Sequence, residues 1–206
     1  MSKSRSASEH STSDLTLHLD RAGFEARVER TLRRGGLGNP DVFLVRLDQR
    51  WVVVKDFAPR PFWLRESLGA WLTAREQKAY QALEDVDLVP RLLGRVDRHA
   101  FVLEYRPGRL LSRSLRDELP DRFLDELERG VSEMHDLGVV HLDLSHRSNV
   151  LLGEDGRPVL LDFASAIRLA PMGRIGNPLF RWLARADYRA LAKWRRKLGT
   201  PSDETI

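Results

Sequence analysis

A lysine closes the apolar run Val52-Val53-Val54-Lys55. Further on come the string His141-Leu142-Asp143-Leu144-Ser145-His146-Arg147-Ser148-Asn149 and then Leu160-Leu161-Asp162-Phe163-Ala164. A cation fixed at a strand end, two aspartates and an asparagine are groups that phosphoryl chemistry asks of a protein. That chemistry needs a positioned phosphate chain, oxygen ligands for a charge-absorbing metal, and a carboxylate near the attacking oxygen. Hard cations take carboxylate and amide oxygens. Asp162, leaving an apolar strand, and Asn149, 13 residues before it, suit such an ion, and Asp143 suits the proton of an acceptor hydroxyl. Singly each signal is weak, because a lysine ending a strand is usually solvated and Leu-Asp-Phe after a strand is usually a turn. Their order along the chain carries the reading.

These residues need elements to hold them. An alternating pattern runs from Phe24 through Ala26, Val28 and Arg30 to Arg33 and breaks at Arg34-Gly35-Gly36-Leu37-Gly38-Asn39-Pro40. Strand-like runs at 41–47 and 51–57 make a hairpin about Asp48-Gln49-Arg50. Pro59 and Pro61 end the sheet run and open a helix predicted over 62–83, with Leu64, Leu68, Trp71, Leu72, Ala79 and Leu83 apolar. Short strands near 92–96 and 100–105 complete a βββαββ order. Beyond Arg106-Pro107-Gly108 a helix is predicted from Pro120 to Leu137, with Phe123, Leu124, Leu127, Val131 and Met134 on one face and Gly138 as its stop. Apolar runs at 150–152 and 159–161 form a hairpin about Gly153-Glu154-Asp155-Gly156, and a last helix runs over about 179–198.

Taken together, the strand lysine, the His-x-Asp-Leu…Asn string and the Asp-Phe-Ala resemble the protein-kinase-like superfamily over about residues 24 to 166. The resemblance implies an α+β, two-lobed fold. A small antiparallel-sheet N-lobe with one long helix spans 21–105, and a truncated helical C-lobe spans 106–206. The Ser-rich residues 1–20 are expected to be disordered. The resemblance further implies that Lys55 meets the α/β phosphates of ATP and that Glu76, 21 residues on, holds its ammonium, Glu66 lying too near the helix start. Gly35, Gly36 and Gly38 would cover the phosphates, with Arg33 and Arg34 either adding phosphate affinity or forming a solvated edge. Glu104 joins the nucleotide-binding set, Asp162 and Asn149 ligate magnesium, and Lys55, Asp143 and Asn149 form the catalytic set. His141 is architectural, His99, His135 and His146 are surface residues, and Trp63 and Trp71 pack between the lobes.

Several positions depart from the family pattern. Five residues separate Asp143 from Asn149 where four are usual, which opens the ligand place to Ser148. Asn149 is favoured by its spacing to Asp162 and by the Val-Leu-Leu that follows. Leu142 replaces the arginine that reads a phosphorylated activation segment, so such regulation is not expected. Ala164 replaces a glycine, restricts φ and predicts one locked conformation. The glycine loop offers G-x-x-G in place of the full motif. Only 42 residues follow Ala164, so the chain resembles minimal bacterial kinases akin to the lipopolysaccharide-core sugar kinases and RIO-type atypical kinases. A hydroxyl on a protein Ser/Thr or on a lipopolysaccharide-type sugar would be the acceptor, with ATP and magnesium required. The alternative is a nucleotide-binding pseudokinase acting as a regulatory or adaptor module.

Charge and composition bound the rest. There are 34 Lys+Arg against 30 Asp+Glu, and residues 167–199 hold nine of the cations against a single acid, Asp187. Arg181, Arg185, Arg189, Lys193 and Lys197 recur every four residues beside an apolar face of Leu179, Leu183, Ala186, Ala190, Trp194 and Leu198. Such a stripe is either a solvated face or a contact for an anionic membrane surface through 179–198, and nucleic acid is not expected. With no cysteine, a disulfide scaffold, a Cys-ligated metal and a thiol nucleophile are excluded. No apolar run approaches the roughly 18 residues of a membrane span, and Met1 to Asp14 lacks the apolar region of a signal peptide. A soluble cytoplasmic protein, at most peripheral at the inner face of the membrane, is expected.

Overall fold

In the computed structural model, which describes residues 19–169 and 178–199, branched and aromatic residues at alternate positions assemble one antiparallel sheet. Its strands are β1 (Val28–Arg33), β2 (Asp41–Leu47), β3 (Arg50–Asp56), β4 (Leu92–Arg95) and β5 (Ala100–Glu104), in the order β1-β2-β3-β5-β4. A tight turn joins β2 to β3, with Asp48 at a φ of 52° that a short polar side chain tolerates. Val45, Val52, Val54, Ala100 and Val102 bury one face of the sheet beneath Leu19 and Phe24.

The start of the chain departs from expectation. Phe24 and Ala26 do not open a strand. Asp20 accepts a hydrogen bond from Gly23 N at 2.7 Å and caps a short helix, α1 (Arg21–Glu25), which drops Phe24 edge-on against Phe43. Leu19 and Asp20, expected in a disordered segment, are therefore structural, and residues 1–18 lie outside the described residues.

The helix predicted over 62–83 is also divided. A short turn, α2 (Phe62–Leu64), passes into a π-helical turn over Arg65–Gly69 and then into α3 (Ala70–Ala82). A π-turn adds a residue to the helical repeat and rotates everything after it. Trp71, expected to pack internally, is accordingly 56% exposed, and Trp63 stands 68% exposed. The face of α3 that is buried carries Thr73, Glu76, Gln77, Ala79 and Tyr80.

The second half builds from α4 (Phe123–Asp136) and α5 (Pro178–Leu198), with β6 (Gly108–Leu110), β8 (Val150–Gly153) and β9 (Pro158–Leu160) as a three-stranded sheet and β7 (Val139–Val140) and β10 (Ile167–Arg168) as one short pair. Gly138 ends α4 at a φ of +76°, as its place after the apolar stripe predicts. The chain is thus α+β, with a five-stranded antiparallel sheet and a long C-terminal helix. One core joins Tyr80, Leu83, Phe101 and Leu103 to Phe123, Met134, Leu160, Phe163 and Trp194. Among the described residues no helix is long and apolar enough to cross a membrane.

Candidate active site

Lys55 is the penultimate residue of β3, paired with the buried Phe101 of β5. The strand carries its side chain inward, so that Lys55 is only 5% exposed. Two carboxylates meet the ammonium: Glu76 Oε1 from α3 accepts from Nζ, and Asp162 Oδ1 accepts at 2.9 Å. Burial opposes the charge on Lys55, but Glu76 and Asp162 outweigh it and hold the ammonium above the ordinary lysine range. Burial pushes Glu76 above its usual value against the pull of Lys55. Burial would raise Asp162 too, but Lys55 and then Arg33 keep it well below the usual carboxylate range, so it stays ionised. Glu66, the rival to Glu76, pairs with Arg98 and His99.

Asp162 adopts a φ of 64° and leads into a 3₁₀ turn over Phe163–Ser165. Ala164 lies within that turn, where a Cβ is tolerated. The buried Phe163 ring packs between His141, tilted with centroids 4.8 Å apart, and Tyr80, edge-on at 5.0 Å. One aromatic column thereby ties α3, the Asp162 turn and the loop at 141–149 together. Arg75 adds a bond from Nε to Ala166 O at 2.9 Å.

That loop closes on itself through Asn149. Its Nδ2 donates to both the main-chain oxygen and Oδ2 of Asp143, each at 2.9 Å. The additional residue between the two is taken up by a 3₁₀ turn over Arg147–Asn149. Ser148 Oγ donates to Asn149 Oδ1 at 2.9 Å, so it is Asn149 that is joined to Asp143 and Ser148 that stands behind it. His141 Nε2 lies 2.9 Å from Leu161 O, which can only accept, so this nitrogen carries the proton and Nδ1 accepts from Asp143 N at 3.3 Å. Burial lowers the pKa of His141 and favours this neutral form. The ring orients the loop, in keeping with an architectural place.

Among the described residues no group of three or more His, Cys, Asp or Glu comes together to hold a metal. A smaller oxygen set still fits magnesium, which takes one or two protein ligands and completes its shell from phosphates and water. Asp162, kept ionised, and the amide oxygen of Asn149, which accepts from Ser148 Oγ while Nδ2 is tied to Asp143, are donors of that kind.

The glycines differ among themselves. At Gly35 an added Cβ would lie 2.2 Å from Asn39 O, so only glycine fits, and its N–H is already given to Asp41 Oδ1 at 2.8 Å. Asp41 also takes Arg60, which buttresses the loop. Gly36 and Gly38 stand in open space. From the base of this loop Arg33 Nη1 reaches Asp162 Oδ2 at 3.1 Å. Glu104 lies apart from the hydrogen-bonded group: its carboxylate pairs with Arg106 and Arg91, and its N–H bonds Arg91 O.

No protein-family model matches the chain, and no curated protein matches it.

The residues missed in the sequence lie mostly on α5. Asp187, fully buried, accepts from His141 N and Leu142 N at 2.8 Å each and lies 3.0 Å from His135 Nε2. Two turns on, Trp194 Nε1 donates to Leu144 O at 2.9 Å and Lys193 Nζ to Ser145 O at 2.8 Å. Three side chains of one helix thus set residues 141–145, including Leu142 at its φ of 68°. A signal was present: Asp187 falls in register with Phe180, Ala184, Ala190 or Leu191, Trp194 and Leu198, the buried stripe, and is the lone acid in a basic segment. The apolar face read from sequence is rotated at its start, where Leu179 is exposed and Phe180 buried. The cationic stripe is broken as well. Lys193 serves the loop, Lys193 and Lys197 lie over the Trp194 ring, and Arg181, Arg185 and Arg189 stay exposed. His135 and His99, expected at the surface, are buried against Asp187 and beside Glu66, whereas His146 is exposed.

Proposed function

We propose that this chain is an ATP- and magnesium-dependent phosphotransferase of protein-kinase-like, two-lobed build that moves the γ-phosphate of ATP to a hydroxyl. The observation that carries the reading is the buried Lys55, held by Glu76 of α3 and at the same time donating to Asp162, 107 residues further along the chain. A lysine so buried needs an anionic duty, and Glu76 keeps it beside Asp162. A magnesium ion on Asp162 and Asn149 would supply positive charge to phosphate oxygens as negative charge builds on them. Lys55 binds the phosphate chain. Asn149 Nδ2 holds Oδ2 of Asp143, which leaves Oδ1 to receive the hydroxyl proton.

The contact between Arg33 and Asp162 favours a second reading, a nucleotide-binding pseudokinase in which the metal aspartate is permanently taken. Transfer from labelled ATP with magnesium to fractionated cell extract separates the two. Label entering a protein or glycolipid fraction with the wild type, and falling at least about a hundredfold with Asp162→Asn and Asp143→Asn, supports the phosphotransferase and names its acceptor class. Nucleotide binding with no label above that of the variants leaves the pseudokinase.

A further inference from the structure

Arg33 ends β1, immediately before the glycine loop, and its Nη1 reaches Asp162, 129 residues further along the chain. Asp162 is therefore met by a cation on each oxygen, Lys55 Nζ on Oδ1 at 2.9 Å and Arg33 Nη1 on Oδ2 at 3.1 Å. The rest of the guanidinium is poorly used, and Arg33 Nε is buried with no hydrogen-bond partner among the described residues. A guanidinium offers five donors in a fork that matches phosphate oxygens, and this one has a donor to spare among the described residues. Magnesium ligates carboxylate oxygen at about 2.1 Å. An ion on Oδ2 and a guanidinium nitrogen on the same oxygen would be two cations a few ångströms apart on half-buried side chains, where repulsion is strong. They exclude one another unless an anion arrives to take the guanidinium.

Resting on the phosphotransferase reading, we infer that Arg33 is a second phosphate-binding cation of the nucleotide site that also competes with the metal for Asp162 Oδ2, so that metal and nucleotide enter together and metal alone is held off. On entry of the nucleotide the guanidinium leaves the carboxylate for the phosphate chain beside its own loop, and Oδ2 is freed for the ion. No bond is made or broken in this exchange beyond hydrogen bonds and metal ligation.

The test is titration calorimetry on the full chain, with manganese alone as the metal probe and a non-hydrolysable ATP analogue with magnesium as the nucleotide probe. Arg33→Met keeps the side-chain stem and removes the charge. It should bind manganese alone about tenfold more tightly than wild type and the magnesium–nucleotide pair about tenfold more weakly, the worth of one charge-assisted hydrogen bond in each direction. Arg33→Gln carries the same two expectations should the methionine variant fail to fold. Unchanged or weaker manganese binding overturns the competition, and unchanged nucleotide binding overturns the phosphate role. In both cases the wild type still binds nucleotide, and neither result bears on the reading beneath. Failure of the wild type to bind the magnesium–nucleotide pair at all overturns that reading, and this inference with it.

Discussion

Burial holds His141 below the ordinary histidine range, although its bond to Leu161 O and the charges of Asp187, Asp162 and Asp143 pull the other way. The unfolded chain therefore takes up this proton before the folded one does. The stability that the neutral ring contributes is complete above about pH 6.5 and is lost as the pH falls below that value toward the folded pKa. Urea midpoints should decline between about pH 7 and about pH 5, and more gently in His141→Gln, whose amide can still donate to Leu161 O. Equal slopes for the two proteins would remove His141 from the account. Lys55 and Asp162 were legible from the sequence because each follows an unbroken apolar run, where a charge is conspicuous. Arg33 was legible only as one of two arginines before a glycine loop, since its partner lies 129 residues away.

Helix α5 acts on the loop through main-chain groups, and this is where sequence reading fell short. The N–H groups that Asp187 receives are 46 and 45 residues from it and belong to His141 and Leu142, whose side chains give no sign of the contact. Periodicity located α4, α5 and the two hairpins because burial there follows the helical or strand repeat. It missed the π-turn at Arg65–Gly69, which displaces Trp71 from the face that spacing assigns it, and it missed α1, where one capping aspartate outweighs an alternating pattern. Removing Asp187 strands one buried and one half-buried N–H group and an imidazole. Asp187→Ala should thus cost about 3 kcal/mol or more in denaturant unfolding, whereas Asp187→Asn, retaining one acceptor oxygen, should cost about half of that. Identical losses would mean that α5 supports the loop by packing alone.

The two halves of the chain share their main core, in which Tyr80 and Phe101 touch the same cluster as Phe123, Phe163 and Trp194. Neither half can open without exposing apolar surface on the other, so unfolding should be a single transition. Far-UV circular dichroism reports all the elements, and fluorescence is weighted toward Trp194, the one tryptophan among the described residues that is fully inside. Their urea curves should superimpose, and separated midpoints would show that the sheet and the helical half are independent. The hold of Asp187, Lys193 and Trp194 on residues 141–145 bears also on the order of synthesis. Asp143 is translated, with the rest of its loop, before the side chains that set that loop. A nascent chain still lacking α5 has no side chain to fix residues 141–145, Asp143 among them, and that loop is set only when residue 194 has cleared the ribosomal exit tunnel and the helix has folded back.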